Sequence, residues 1–305
     1  MIIEMTALDK SNYYKPLFYY NSARNAFKDI LLKHLEIEEI TILLPGYIGL
    51  STKEGSGIFD PVVETGARYK FYELDRNLCI KVESLRNLLD SVTGRPVVLL
   101  VHYFGYPDPN ISSITSICRQ YNAIVIEDEA HALYSDFIDH SCGQYGDYAI
   151  YSIHKMLPYQ YGGALKVIIN HGIQFSPDYS EDPFHIFNYD FYGISMQRKR
   201  NAKLWNDMLS GNSSFQILRP YSDHVTPQTF PVIVKKFDRN DLYFKLNDAG
   251  FGDVSLYHTM IDPIIDGNFV ESKWVSKHIT NLPVHQDVSE AKIELMYREI
   301  KKIVN

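Results

Sequence analysis

Three apolar runs that each finish on chemically capable side chains restrict the fold most: VVLLVHYF (97–104), AIVIED (123–128) and YAIYSI (148–153). None of them alternates between apolar and polar residues. Continuous runs of this kind belong to strands covered on both faces, as in parallel sheets. Residues 111–121 lie between the first two, with Ile111, Ile114, Ile117, Cys118 and Tyr121 at helical spacing. The same alternation starts earlier, with a helix over 23–35 (Phe27, Ile30, Leu31 and Leu35 on one face) and strands over 40–44 and 69–74. It continues in GALKVII (163–169), directly behind a glycine pair. Strand and helix in turn predict an α/β fold with a large, mostly parallel sheet and helices on both faces. Ligands of such sheets bind beyond the carboxyl ends of the strands.

The remainder reads differently. Residues 171–195 are rich in Pro, Asp, Tyr and Phe without a period and are expected to be a long connection. A helix over 196–210 then opens a smaller C-terminal α/β domain. Its expected elements are a strand over 229–236, a helix over 238–249, a strand over 253–258, and a terminal helix announced by the capping-box pattern Asp287-x-x-Glu290. Ile293, Met296, Tyr297, Ile300 and Ile303 form that helix's inner stripe. The expected division is 1–195 and 196–305. Arg198-Lys199-Arg200 is expected on a solvated helix face, with contact to a substrate diphosphate as the alternative.

Composition removes several function classes. The formal charge of −7 comes with no basic clustering, so nucleic acid is not an expected partner. Three widely spaced cysteines without C-x-x-C suggest neither a disulfide framework nor a zinc site. The eleven histidines show no H-x-x-x-H or H-E-x-x-H spacing, so no metal site is expected. The first residues do not resemble a signal peptide, and no apolar run is long enough for a membrane span. A cytoplasmic protein is the expectation.

The chemistry concentrates at two strand ends. Ile126-Glu127-Asp128-Glu129-Ala130-His131-Ala132 closes one strand, and Tyr151-Ser152-Ile153-His154-Lys155-Met156 closes the next, followed by Gly162-Gly163-Ala164. Asp128 would be a costly charge at the end of an apolar strand without a cationic partner. Lys155 would need to be partly neutral to attack an aldehyde, a state that desolvation or a nearby cation favours. An acid and an amine in this series match what pyridoxal phosphate (PLP) requires: a lysine to hold its aldehyde and a carboxylate to hold its ring nitrogen protonated.

These motifs resemble the DegT/StrS family of PLP-dependent nucleotide-sugar aminotransferases, within fold type I. Asn21-Ser22-Ala23-Arg24 resembles that family's phosphate turn at a helix start. Leu44-Pro45-Gly46-Tyr47 resembles its strand-end proline segment, and Val101-His102-Tyr103-Phe104-Gly105 its VH-x-x-G segment. Ile126 to Ala132 resembles its acid motif, Lys155 with Gly162-Gly163 its Schiff-base lysine and glycine turn, and Leu282-Pro283-Val284-His285 its closing segment.

The resemblance implies that Asp128 holds the pyridinium nitrogen, that His131 approaches the ring hydroxyl or imine, and that Lys155 carries PLP and moves the proton. Ser22 with the N–H groups of Ala23 and Arg24 would cradle the phosphate, as a helix N-terminus does. Arg24 could add a charged contact. Ser152 and His154 would be cofactor neighbours. Several features depart from the family. Ser152 lies three residues before Lys155 instead of five, Gly49 stands where a stacking aromatic is expected, Tyr161 stands in the glycine turn where an acid is common, the N-terminal helix is abbreviated, and the connection after Gly163 is shorter than that family's usual one. Tyr47 or Tyr103 could replace the aromatic, and Asn188-Tyr189 could be a remnant of the connection.

The implied activity is transfer of an amino group from an amino acid such as glutamate to a nucleotide-linked keto-sugar, in a homodimer. A PLP lyase or decarboxylase on a small amino acid is the alternative suggested by Ser-x-His-Lys. A catalytically reduced sensor or assembly protein is the alternative from outside enzymology.

Overall fold

The computed structural model describes residues 17–52, 55–251 and 258–304. Its first half builds one sheet. In chain order it comprises β1 (Leu17–Tyr20), α1 (Ala23–Leu35), β2 (Ile40–Pro45), α2 (Phe59–Thr65), β3 (Arg68–Tyr72), α3 (Val82–Ser91) and β4 (Arg95–Val101). Then come α4 (Ile111–Gln120), β5 (Ile124–Asp128), α5 (Leu133–Phe137), β6 (Tyr148–Ser152), α6 (Ile153–Met156) and β7 (Gly163–Val167). The strands pair in the order β1-β7-β6-β5-β4-β2-β3. β7 alone runs against the others, pairing antiparallel with both β6 and β1. The remaining pairings, β2 with β3 and β4, β4 with β5, and β5 with β6, are parallel.

The continuous apolar runs are central strands, as expected. Val97, Val98, Leu99, Ile124 and Ile126 are buried on both faces of the sheet. Helix α1 covers one face through Ala26, Phe27, Ile30 and Leu31, all fully buried. Burying a large apolar side chain contributes about 1.5–3 kcal/mol. Ser22 stands at the N-cap of α1 in extended conformation, and its Oγ accepts from Asn25 N.

The second half carries α7 (Phe191–Leu209), β8 (Phe215–Ile217), β9 (Thr229–Val234), α8 (Arg239–Asp248), α9 (Asp262–Asp266), α10 (Val270–His278), β10 (Ile279–Pro283) and α11 (Glu290–Val304). β10, β9 and β8 form an antiparallel three-stranded sheet. A second core lies between it and α7, α8 and α11, around Trp205, Phe230, Leu242 and Met296. The chain between the sheet's last two strands returns to the first core, where Ile261, Ile264 and Val275 are buried. The expected strand over 253–258 lies outside the described residues save His258.

Three expectations need correction. Helix α7 begins at Phe191, not 196, because Asp190 caps it by accepting from Gly193 N at 2.9 Å. Its inner face hides the helical period because it buries polar residues alongside apolar ones: Ser195, Arg198, Lys199 and Asn201. Arg198 and Lys199 are therefore not on a solvated face, and only Arg200 of that triplet is exposed. The Arg198 guanidinium donates to the carbonyls of Pro227 and Gln228 and to Gln286 Oε1, and lies 5.3 Å from the Tyr134 ring centre. Lys199 Nζ pairs with Asp139 and donates to Asp223 O. At the other end, α11 starts at Glu290 with Ser289 Oγ, not Asp287, accepting from Lys292 N at 3.4 Å.

Candidate active site

The carboxyl ends of β4, β5 and β6 open into a cleft of about 760 Å³. Asp128 is the last residue of β5 and 6 % exposed. Its Oδ1 accepts from Ala130 N at 2.9 Å. Burial pushes its carboxyl pKa up, opposed by the Ala130 N–H and by the charges of Lys155 and His102. The strand thus delivers a carboxylate to a place where a cation or an N–H donor facing it would be stabilised.

Lys155 is set by the next strand. β6 ends at Ser152 and passes directly into the single helical turn of α6, which turns Lys155 back over the strand end. Its Nζ lies 3.4 Å from His131 Nε2. His131 is itself buried, and burial, then the nearby Lys155, holds its pKa well below the ordinary range. Phe104 N donates to His131 Nδ1 at 3.3 Å. The Phe104 N–H thus occupies Nδ1 and leaves Nε2 as the ring nitrogen that faces Lys155 Nζ.

The glycine pair joins this turn to the start of α1. Gly162 has φ of +126°, open mainly to glycine. Gly162 N donates to Asn21 O at 2.9 Å. A Cβ on Gly163 would come within 2.2 Å of Ala23 N and the Ser22 carbonyl carbon. β7 can therefore start against the Ser22-Ala23 backbone only because it begins with Gly163. The result places the N-terminus of α1 at the same cleft as Asp128 and Lys155, with Ser22, Ala23 and Arg24 in its wall.

The ten residues that the sequence offered as catalytic or cofactor-binding all line this one cleft. Tyr47 and Tyr103 stand edge to face at 5.5 Å, and Tyr103 Oη donates to the Tyr47 carbonyl at 2.5 Å. Ser152 Oγ and His154 Nδ1 are 3.3 Å apart. Arg24 reaches Asp60 at 3.6 Å. Asn188 and Tyr189 are absent from the described cleft wall.

The sequence reading missed other residues of the wall. Gly55-Ser56-Gly57 forms a hydrogen-bonded lip of the cleft. Ser51 and Gly55 exchange backbone hydrogen bonds, Ser56 N donates to Asp60 Oδ2, and Ser56 Oγ accepts from Phe59 N. His258 and Thr259 also reach the cleft, because Gly49 and Met260 form an antiparallel bridge. No local signal announces a pairing across some two hundred residues.

Comparison with known proteins agrees with this geometry. The sequence profile of the DegT/DnrJ/EryC1/StrS aminotransferase family matches residues 56–169. A Saccharopolyspora spinosa protein named dTDP-4-dehydro-2,3,6-trideoxy-D-glucose 4-aminotransferase is 32% identical over 96 residues. That match covers 31% of this chain and 24% of the relative, so it spans about a quarter of the relative's length. Among solved structures, Helicobacter pylori PseC, an aminotransferase of pseudoaminic acid biosynthesis, superimposes with a TM-score of 0.76 at 14% identity, covering 95% of this chain and 87% of that one. A Bacillus subtilis protein, NtdA, solved with its cofactor PMP, gives 0.76 at 17% identity, covering 97% and 75%. The fold is that of the fold type I PLP enzymes. The segment that supplies Asp128, His131 and Lys155 belongs to the DegT/DnrJ/EryC1/StrS aminotransferase family.

Proposed function

We propose that this chain is a PLP-dependent aminotransferase that moves an amino group from an amino acid, glutamate or a close analogue, to a nucleotide-linked keto-sugar. The convergence of Asp128, Lys155 and His131 in one cleft whose far corner is a helix N-terminus carries the reading.

The cleft suits the cofactor on its own chemistry. Asp128 is a buried carboxylate whose one bonded oxygen is served by Ala130 N, and a protonated ring nitrogen would offset its desolvation. The α1 N-terminus offers the Ser22 hydroxyl and the N–H groups of Ala23 and Arg24 to a phosphate. When bound there, PLP supplies an electron sink and a carbonyl carbon for amine exchange. The other work falls to the chain. Asp128 keeps a proton on the ring nitrogen. Lys155 provides the covalent anchor and carries the proton from the donor α-carbon. His131 Nε2 holds the free Lys155 amine in place between those tasks. Acid–base action of a positioned group contributes on the order of 100- to 10,000-fold.

Likeness of fold does not choose the reaction, since one solved neighbour of this fold is a GDP-4-keto-6-deoxy-D-mannose-3-dehydratase. The deciding experiment is direct. The protein is loaded with PLP, reduced with borohydride and digested. A mass addition on the Lys155 peptide is expected, and Lys155→Ala should abolish it while thermal unfolding stays cooperative. Covalent cofactor retained in Lys155→Ala would overturn the anchor. Glutamate should convert the bound cofactor to its amino form and yield 2-oxoglutarate. Carbon dioxide release without that conversion would favour the decarboxylase instead.

A further inference from the structure

Behind the wall that presents Asp128 to the cleft lies a cluster of side chains for which transamination has no use. Successive residues of an extended chain face opposite ways, so Glu127 and Glu129 point away from the side that Asp128 serves. Both are fully buried. Glu127 is well satisfied: its carboxylate accepts from the backbone N–H groups of Gly143, Tyr145 and Gly146, each at 2.8 Å. His102, 1 % exposed, adds Nε2 at 3.1 Å from Glu127 Oε2.

Glu129 is served poorly. The Cys142 thiol, a weak donor, lies 3.1 Å from Glu129 Oε2. Glu129 Oε1 sits 3.2 Å from His102 Nε2 yet has no hydrogen-bond partner among the described residues. His102 Nε2 carries at most one hydrogen, which cannot fully serve Glu127 and Glu129 at once. A fully buried carboxylate thus meets an imidazole nitrogen at one oxygen and a thiol at the other, and among the described residues its Oε1 is left unsatisfied.

We propose that His102 Nε2, the Glu129 carboxylate and Cys142 Sγ form a structural binding site for one zinc-class divalent cation. The three donor atoms lie within 4.8 Å of one another. A tetrahedral zinc with bonds of about 2.0–2.3 Å needs its donors roughly 3.3–3.8 Å apart, so small side-chain adjustments suffice. Glu127 Oε2, beside the same imidazole nitrogen, is placed to close a fourth position. Sulfur and nitrogen donors select zinc over magnesium or calcium. On uptake the ion replaces the Cys142 thiol proton and the Nε2 proton of a His102 imidazolium, which the flanking Glu127 and Glu129 carboxylates favour; both protons leave to solvent, and the ring stays neutral with its remaining proton on Nδ1. The donors come from the end of β4, the end of β5 and the turn before β6, so the ion would pin the three segments that frame Asp128. Burial of every donor couples loading to folding. No sequence spacing announces the site, because its ligands stand 27 and 13 residues apart, counting from 102 to 129 and from 129 to 142.

The test uses the full chain, produced in zinc-supplemented medium and freed of loose metal by gel filtration. Elemental analysis should find about one zinc per chain. Chain produced with cobalt instead should show a thiolate-to-cobalt absorption band and tetrahedral ligand-field bands. Cys142→Ser should lose both the zinc and the charge-transfer band, and Glu129→Gln should lower zinc content, while both variants still take PLP at Lys155. Wild-type protein with negligible zinc and no cobalt band overturns the proposal, and that result needs no variant to fold. Undiminished zinc in Cys142→Ser overturns the ligand set. Failure here leaves the aminotransferase reading untouched, since the PLP adduct is read separately.

Discussion

At the scale of single residues, the pairing of His131 with Lys155 does most to organise the site. The Phe104 N–H fixes Nδ1 as an acceptor and leaves Nε2 facing Lys155 Nζ. Burial makes the choice durable, because it keeps the ring neutral. A residue that orients the amine without touching the carboxylate has a distinct kinetic signature. His131→Phe should still accept PLP at Lys155 but lower kcat by on the order of 100-fold, the low end for a positioned acid–base group. His131→Asn, whose amide can donate a hydrogen bond, should recover part of the loss. Pre-steady-state spectra separate the two half-reactions and read the defect directly. Wild-type turnover in His131→Phe would remove the role. Asp128→Asn should retain some cofactor while losing most turnover, because a neutral amide cannot hold the ring nitrogen protonated by charge. Near-normal rates in that variant would show that Asp128 does not govern the ring.

At the scale of elements, the site is the meeting of two strand ends, one helical turn and one helix start, with Gly163 as the hinge of the arrangement. A Cβ there meets backbone atoms of Ser22 and Ala23, which cannot rotate out of the way as a side chain tip can. Gly163→Ala should cost about 2 kcal/mol or more, at the upper range for overpacking, and should weaken binding of phosphorylated ligands beyond its effect on stability. Gly57→Ala, with nothing within 4 Å of the added carbon, is the control expected to unfold like the wild type. Equal thermal midpoints for the two variants would refute the hinge.

Elements also show what was legible in the chain. Strands of the central sheet announce themselves because burial on both faces leaves an unbroken apolar run, and Asp128 and Lys155 follow directly from where those runs stop. α1 is legible over its full length because its core face is apolar except for His34 near its end. α7 is not, since Arg198, Lys199 and Asn201 face inward and satisfy carbonyl or carboxylate groups from distant segments. Neither could His258 be found, because its place depends on a bridge between Gly49 and Met260. Pattern reports what a local period enforces, and contacts made by separate segments leave no period behind.

At the scale of the whole molecule, acid stability depends on groups that couple α1 to the sheet. His34, near the end of α1, is 2 % exposed, and its Nε2 lies 3.1 Å from Tyr148 Oη on β6. Burial, reinforced by the neighbouring His171 and Arg95, pushes its pKa from 6.5 down to about 4, against weaker opposing pulls from Glu38 and Asp147. The folded chain therefore holds His34 neutral at a pH where the unfolded chain has already taken up the proton. Folding free energy from this group is complete above 6.5 and falls as the pH drops through the interval down to about 4. The full interval corresponds to at most about 3 kcal/mol. His34→Gln keeps a hydrogen-bonding partner for Tyr148 but cannot titrate. Its stability at neutral pH should be lower than wild type, since the amide fits the imidazole site imperfectly. Between about pH 7 and about pH 4.5 it should then lose less stability than the wild type does, so the two thermal midpoints converge as acid is added. Parallel declines for the two proteins would place the acid sensitivity of the fold in other groups and leave His34 as a packing residue alone.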